Sequence, residues 1–316
     1  MSAAERSTDV SNAETRKALA EKALARSPSA AALFWREFRA SWVAVAALMM
    51  TCLLAGAALL APWITPQNPY DLMAIDFMDG ELPPGAIGGM GQTYLLGTDA
   101  QGRDLVSALV YGLRASFIVA VSAGALALIL GTTLGLAAAY FRGMIETIIM
   151  RLVEIQLSFP AILLALIMLA IFGRGIDKTI IALMLVQWAF YARTVRGTAI
   201  AERSREYMQV ALLLRLPTWR ILFVHLLPNV MPPILVVASV QMANAITLEA
   251  TLSFLGLGLP VTEPSLGLLI ANGFDYLLSG KYWISVFPGI LLMVTVFSIN
   301  LVADRLREMV NPRLKR

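Results

Sequence analysis

The sequence predicts an all-α membrane protein with six transmembrane helices, and three observations carry that reading. Of its 316 residues 58% are hydrophobic and only 15% charged, with a mean hydropathy of +0.72, whereas soluble domains hold about 45–50% apolar and about 25% charged residues. Six apolar runs approach the ~20 residues that a helix needs to cross a hydrocarbon core, where backbone amides find no water. Basic residues alternate between the connecting segments, 20 of the 25 Lys and Arg falling on one set and 5 on the other. That bias places both termini on the cytoplasmic side.

The same totals exclude several kinds of chemistry. Cys52 is the only cysteine and His225 the only histidine, which rules out an internal disulfide and a histidine-built metal cluster. The net charge of +4 sits beside apolar runs and reads as an orientation signal rather than a nucleic-acid surface. No GxxxxGK(S/T) loop, GxSxG elbow or HExxH pair occurs. The chain is therefore not expected to hydrolyse anything itself, and powered transport would need a partner or an ion gradient.

In chain order, residues 1–42 form a polar cytoplasmic tail that ends in a short interfacial helix near LFWREFRASW. The run at 43–61 comes too late for a cleaved signal peptide and is expected to be a retained first span. An extracytoplasmic loop, 62–115, follows; its acids Asp71, Asp76, Asp79, Glu81, Asp99 and Asp104 either receive a partner or face solvent. Residues 116–304 make a five-helix core with spans at 116–141, 149–172, 176–194, 229–256 and 283–304, and 305–316 form a cytoplasmic tail. Gly131 and Gly135 set a GxxxG pattern that lets a neighbouring helix approach closely. Pro160 removes a backbone donor and should kink the third span. In the fourth, Lys178 and Arg193 must carry their charges to the two interfaces.

Polar residues within spans each ask for a partner. Glu154 lies one turn from Arg151, the spacing of a local ion pair. On the fifth span Gln241, Asn244, Thr247, Glu249 and Thr251 are candidate pathway or helix-packing residues. Asn244, Thr247 and Thr251 share one face, and Glu249 points away from it. The pattern does not choose between a polar pathway and a polar helix contact.

The segment 200–228, between the fourth and fifth spans, breaks the run of apolar helices. Tyr207, Val210, Ala211 and Leu214 recur at i, i+3, i+4 and i+7, one face of a short helix that Pro217 stops, and that face is expected to pack on the chain's own bundle. Thr218 is placed to cap a second short helix, Trp219 to Leu227, which Pro228 ends. Arg205, Arg215 and Arg220 then face the cytosol. Such a hairpin either lies on the headgroups or docks a cytoplasmic partner.

EYMQVALLLRLPTWRILFVHLLPN, 206–229, resembles the EAA loop of ABC-importer permeases, in the form used by the C-type subunit of the dipeptide, oligopeptide and nickel permease family. Glu206 and Tyr207 match its opening, Ala211 its alanine, and Arg220, Ile221, His225, Leu227, Pro228 and Asn229 its distal half. Arg215 stands where the family has a turn-forming Gly, and Pro217 where a small polar residue is usual. An Arg does not adopt the glycine conformation cheaply, so Pro217 is expected to build the turn by other means. LLGTDAQGRDLVSALVYGLRASF (95–117), WAFYARTVRG (188–197), LEATLSFLGLGLP (248–260) and NLVADRLREMVNPRL (300–314) resemble further family segments in the same order. Glu249 is thereby a family feature.

The resemblance implies a type I ABC-importer permease fold in a bacterial inner membrane. It further implies a homologous B-type permease partner, two cytoplasmic ATPases that bind the ATP and Mg, and an extracytoplasmic solute-binding protein; the chain itself holds no cofactor and meets no nucleic acid. The coupling residues would be Glu206, Tyr207, Ala211, Arg215, Pro217, Thr218, Trp219, Arg220, His225 and Pro228. Di- or oligopeptides are the family's default cargo, with nickel, opines or other small solutes as alternatives. A secondary carrier that uses Glu249 as its ion site, and a membrane scaffold that recruits a cytosolic protein, are the competing readings.

Overall fold

The computed structural model describes residues 30–71, 73 and 75–310; residues 1–29 of the expected tail 1–42 and the last six residues of the expected C-terminal tail lie outside them. Two compact units result, the first ending at Val45 and the second beginning at Ala46. Helix α1, Ala30–Arg39, belongs to the first, and its Trp35 and Phe38 rings stack on each other 5.9 Å apart. Helix α2, Trp42–Leu59, runs across the division. After a short α3, Ala61–Ile64, the chain makes a 3₁₀ turn at Phe77–Asp79 and a two-stranded antiparallel ribbon. In the ribbon β1, Ala86–Ile87, pairs Ala86 with Tyr94 of β2, Thr93–Tyr94.

The remaining elements are helices: α4, Leu105–Phe141; α5, Gly143–Ser158; α6, Ala161–Phe172; α7, Ile176–Arg203; α8, Glu206–Leu213; α9, Thr218–Phe254; α10, Leu266–Phe274; and α11, Trp283–Val310. Among the described residues, α2, α4, α9 and α11 are long and apolar enough to cross a membrane, and the pair α5–α6 makes a fifth if taken together. No more than a third of the most apolar stretch of each of the four is buried within the chain. The rest offers apolar surface to lipid or to another subunit. Helix α7 carries Asp177, Lys178, Arg193, Arg196, Glu202 and Arg203 and is not in that set.

Helices α4 and α7 make the most extensive pairing in the molecule, and the GxxxG pattern explains it. A methyl on Gly131 would fall on the Trp188 carbonyl, and one on Gly135 would lie 2.7 Å from the Ala192 carbonyl oxygen. The two backbones therefore touch along this seam, flanked by buried Leu136, Ala139, Ala189 and Val195. A second cluster centred on Leu113, Ala182, Leu183, Ile246 and Leu252 joins α4, α7 and α9.

Three expectations are corrected. Pro160 does more than kink its span: α5 and α6 meet at 97°, because Phe159 and Pro160 are both extended, with ψ of 142° and 127°. The residue before a proline avoids the helical region, and proline has no amide to continue the ladder. Helix α4 begins at Leu105, eleven residues ahead of the expected span at 116, since Asp104 caps it by accepting from the Ser107 amide at 2.7 Å. Pro228 does not end a short helix: α9 runs unbroken from Thr218 through Pro228, Pro232 and Pro233 to Phe254. A π-helical turn at Ile221–Leu226, with Leu227 N–H bonding back to Leu222, precedes the proline. That turn changes which carbonyls expect a donor, and the Asn229 side chain supplies one to His225 at 2.6 Å.

Candidate functional site

Three polar constellations lie outside ordinary helix packing. The first surrounds Glu249, which is fully buried on α9. Ser116 of α4 donates to one carboxyl oxygen at 2.6 Å and Ser253 to the other at 2.8 Å. The Ser253 hydroxyl also accepts the Leu259 amide at 3.4 Å. Both oxygens are thus engaged, and the carboxyl ties α4, α9 and the loop after α9 into one knot.

The second constellation is a groove of about 310 Å³ between α7 and α9, with Ala161 at the start of α6 on its wall. Gln187, Gln241, Asn244 and Thr247 line it, together with Phe190 and Leu248. Gln187 donates from Nε2 to the Gln241 carbonyl at 3.2 Å, and Asn244 donates to the Gln241 side-chain oxygen at 2.8 Å. Thr247 bonds its own helix at Ala243, and Thr251 bonds Thr247. Of the five residues expected from the sequence, the structure brings Gln241, Asn244 and Thr247 into the groove and places Glu249 in the knot. Gln187 joins the groove without having been foreseen. A single amide in the apolar run MLVQWAF is visible as an anomaly but carries no periodicity.

The third is the 200–228 insertion. Its anchor is polar: Arg203 donates to the Ala139 and Tyr140 carbonyls at the end of α4, at 3.1 and 2.7 Å, with its guanidinium 5.5 Å from the Tyr140 ring. Tyr140 Oη lies 3.2 Å from Thr218 Oγ1. Thr218 is therefore not a cap; Pro217 holds the capping position, with no side-chain bond, and Thr218 is the first helical residue. Glu202, which the sequence did not single out, accepts from Tyr207 Oη at 2.9 Å and from Arg205 at 3.0 Å. Partial desolvation, reinforced by this carboxylate, pushes the Tyr207 phenol above its ordinary range. Arg196 of α7 pairs with Glu146 of α5 nearby.

Its apolar residues divide differently from the expected face. Met208, Ile221 and Leu226 are buried against the α4–α7 seam, and Ala211 is also buried. Tyr207, Val210 and Leu214, expected to pack on the bundle, are instead exposed, as are Leu213, Trp219 and Phe223. The i, i+3, i+4, i+7 rule finds an apolar face without saying whether it meets this chain or another. Glu206, Arg215 and Arg220 are exposed, and His225 Nε2 is buried with no hydrogen-bond partner. The turn after α8 also differs from expectation. Arg215 adopts the left-handed conformation itself, at φ +48°, while the Leu216 amide bonds back to Ala211 at 3.3 Å, the closing bond of a Schellman motif.

The connection from Ala61 to Asp104 is built the other way, with its charges turned inward. Asp99 and Arg103 form an ion pair in which both side chains are almost fully buried, with Nε to Oδ2 at 2.7 Å. Asp79 accepts from the Gly89 amide and from Tyr94, and Thr98 bridges the Asp79 carbonyl and the Leu82 amide. Lys281, ahead of α11, pairs with Glu81. That bond holds the Glu81 carboxyl below its usual range. Among the described residues no cluster of His, Cys, Asp or Glu could hold a metal ion.

Apolar helices around a neutral polar groove, with an insertion that turns apolar side chains outward, define a membrane permease subunit. The chain belongs to the family of binding-protein-dependent transport system inner membrane components, whose model matches residues 127–316; residues 29–84 match the N-terminal TM domain of oligopeptide transport permease C. It is 37% identical over 289 residues to the di/tripeptide transport system permease protein DppC of Pseudomonas aeruginosa, covering 91% of this chain and 94% of that one. To the dipeptide transport system permease protein DppC of Escherichia coli it is 37% identical over 283 residues, 89% of this chain and 93% of the relative. A solved chain of the MetNI methionine ABC transporter, in inward facing conformations, shares the fold at a TM-score of 0.54 and 19% identity. That match covers 66% of this chain and 98% of the other.

Proposed function

We propose that this chain is the transmembrane permease subunit of an ATP-driven importer of di- or oligopeptides. It forms half of the translocation pathway beside a homologous permease and is driven by two separate ATPases. In this reading α7 is the sixth crossing, joined to the other five by its seam with α4. Both termini and the 200–228 insertion face the cytoplasm of a bacterial cell, and the 62–104 connection faces the solute-binding protein. The observation that carries the reading is the insertion. Val210, Leu213, Leu214, Trp219 and Phe223 are exposed there, as are Arg205, Arg215 and Arg220, on a segment whose base Arg203 pins to the end of α4. An apolar patch beside cations suits a protein partner. A rigid base passes that partner's motion to the helices. The peptide cargo follows from the relatives, and the knot around Glu249, with both oxygens already bonded, supports a packing role rather than an ion site. The test is reconstitution with the three kinds of partner and a mixture of dipeptides followed by mass spectrometry. Uptake that requires ATP and the ATPases is expected; uptake driven by an ion gradient without them would overturn it.

A further inference from the structure

The groove between α7 and α9 contains a polar atom that the protein itself leaves unmatched. Gln187 is 1% exposed and its Oε1 has no hydrogen-bond partner. Its amide end is fixed by the bond from Nε2 to the Gln241 carbonyl, which commits the oxygen as an acceptor. A buried acceptor without a donor costs free energy unless something arrives to satisfy it. On the opposite helix Gln241 Oε1 is held by Asn244 Nδ2, and both residues line the groove. Among the residues lining it, none is ionisable. The broken helix contributes to the opening: Gln156, at the end of α5, donates to the Leu185 and Val186 carbonyls at 2.6 and 2.9 Å. That clamps α5 to the turn of α7 just before Gln187.

We infer that Gln187, with Gln241 and Asn244, forms a transient cargo subsite that reads the neutral amide backbone of a peptide. The inference rests on the proposed importer reading and adds the atoms that meet the cargo and the property they select. The Gln187 oxygen accepts a peptide N–H, and the carboxamides of Gln241 and Asn244 supply complementary groups; Phe190 and Leu248 provide apolar contact. Carboxamides match amides in both directions without a net charge, so the subsite passes acidic, neutral and basic side chains alike. Selection by side-chain charge would require an ionisable group here, and the lining has none.

The experiment uses the complete transporter in proteoliposomes, with co-purification of the ATPases as the check on assembly. An equimolar mixture of dipeptides with acidic, neutral and basic side chains is supplied outside, and import is read by mass spectrometry. Gln187→Leu is expected to lower import of all three classes by a similar factor, roughly tenfold for the loss of one hydrogen bond. Asn244→Asp, which keeps the shape and adds a charge at an exposed position of the groove, is expected to depress acidic relative to basic dipeptides by roughly tenfold. Unchanged import in Gln187→Leu, or an unchanged acidic-to-basic ratio in Asn244→Asp, with import by the parent protein intact, overturns the subsite. Failure of the assembled parent protein to import any dipeptide overturns the cargo reading instead, and the subsite with it.

Discussion

The 62–104 connection and the 200–228 insertion are both excursions between long helices, yet they handle their polar and apolar groups in opposite ways. The connection turns charge inward, burying Asp99, Arg103, Asp104 and Asp79: Asp99 pairs with Arg103, and the three carboxylates accept from the Arg103, Ser107 and Gly89 amides. The insertion keeps Arg205, Arg215 and Arg220 outside and exposes Leu213, Leu214 and Trp219. A segment that satisfies its own polar groups is folded for its own sake, whereas one that leaves large apolar side chains uncovered is unfinished until something binds it. Under the proposed function the first segment supplies shape and the second coupling, which predicts that damage to the two will have different signatures.

The largest effect is expected in the connection. Arg103→Ala leaves the Asp99 carboxylate buried without its cation, and breaking one side of a buried pair costs about 3–5 kcal/mol. Purified protein should lose thermal stability and become sensitive to proteolysis between Ala61 and Asp104. An Arg103→Ala protein that melts with the parent would mean the pair is ornamental and the comparison false.

The insertion should respond in the opposite sense. Trp219→Asp and Leu213→Asp alter exposed side chains, so melting should move little, since surface changes fall within about 0.5 kcal/mol. Binding of the ATPases, measured by titration of the detergent-solubilised permease, should weaken at least about tenfold, because exposed aromatic anchors carry a large share of interface energy. Unchanged binding in both variants would move the docking surface elsewhere.

Acid offers a finer separation. The Lys281 bond holds Glu81 below the ordinary carboxylate range, so the stability it lends is complete above that range and is lost as pH falls through the lowered value. Hydrogen exchange in the connection should be faster in Glu81→Gln than in the parent at neutral pH, and the gap should close on strong acidification. The insertion, which does not contain that pair, should show no such convergence.

How far these roles are legible in the sequence depends on the solvent each segment answers to. The bilayer constrains backbone hydrogen bonding so tightly that α2, α4, α9 and α11 stand out as apolar runs. The GxxxG seam was legible for a similar reason, since Gly131 and Gly135 have few other uses at that spacing. Pro228 misled because the rule that proline ends a helix assumes an unbroken i to i+4 ladder, which the π turn at Ile221–Leu226 alters. Tyr207, Val210 and Leu214 misled because an apolar stripe looks the same whether it meets its own bundle or a partner. Glu202 and Gln187 passed unnoticed because their importance lies in what Tyr207, Arg205 and Gln241 bring to them from other turns and helices.

The smallest predicted effect bears on the turn that joins the two halves of the insertion. Arg215 holds a left-handed backbone at φ +48°, a conformation that costs a side-chain-bearing residue roughly 1–2 kcal/mol. Glycine removes that cost but gives back about 0.5–1 kcal/mol through the freedom of its unfolded chain. Arg215→Gly should therefore raise stability by about half to 1 kcal/mol, a shift of roughly 1–4 °C in a chain of this size. Paired with the ATPase titration, the same variant separates two origins of the strain. Higher melting with unchanged or tighter ATPase binding makes Arg215 a tolerated cost of the turn. Higher melting with weaker binding makes the guanidinium a contact for which the backbone is held out of its preferred conformation, in keeping with an insertion shaped for a partner rather than for itself.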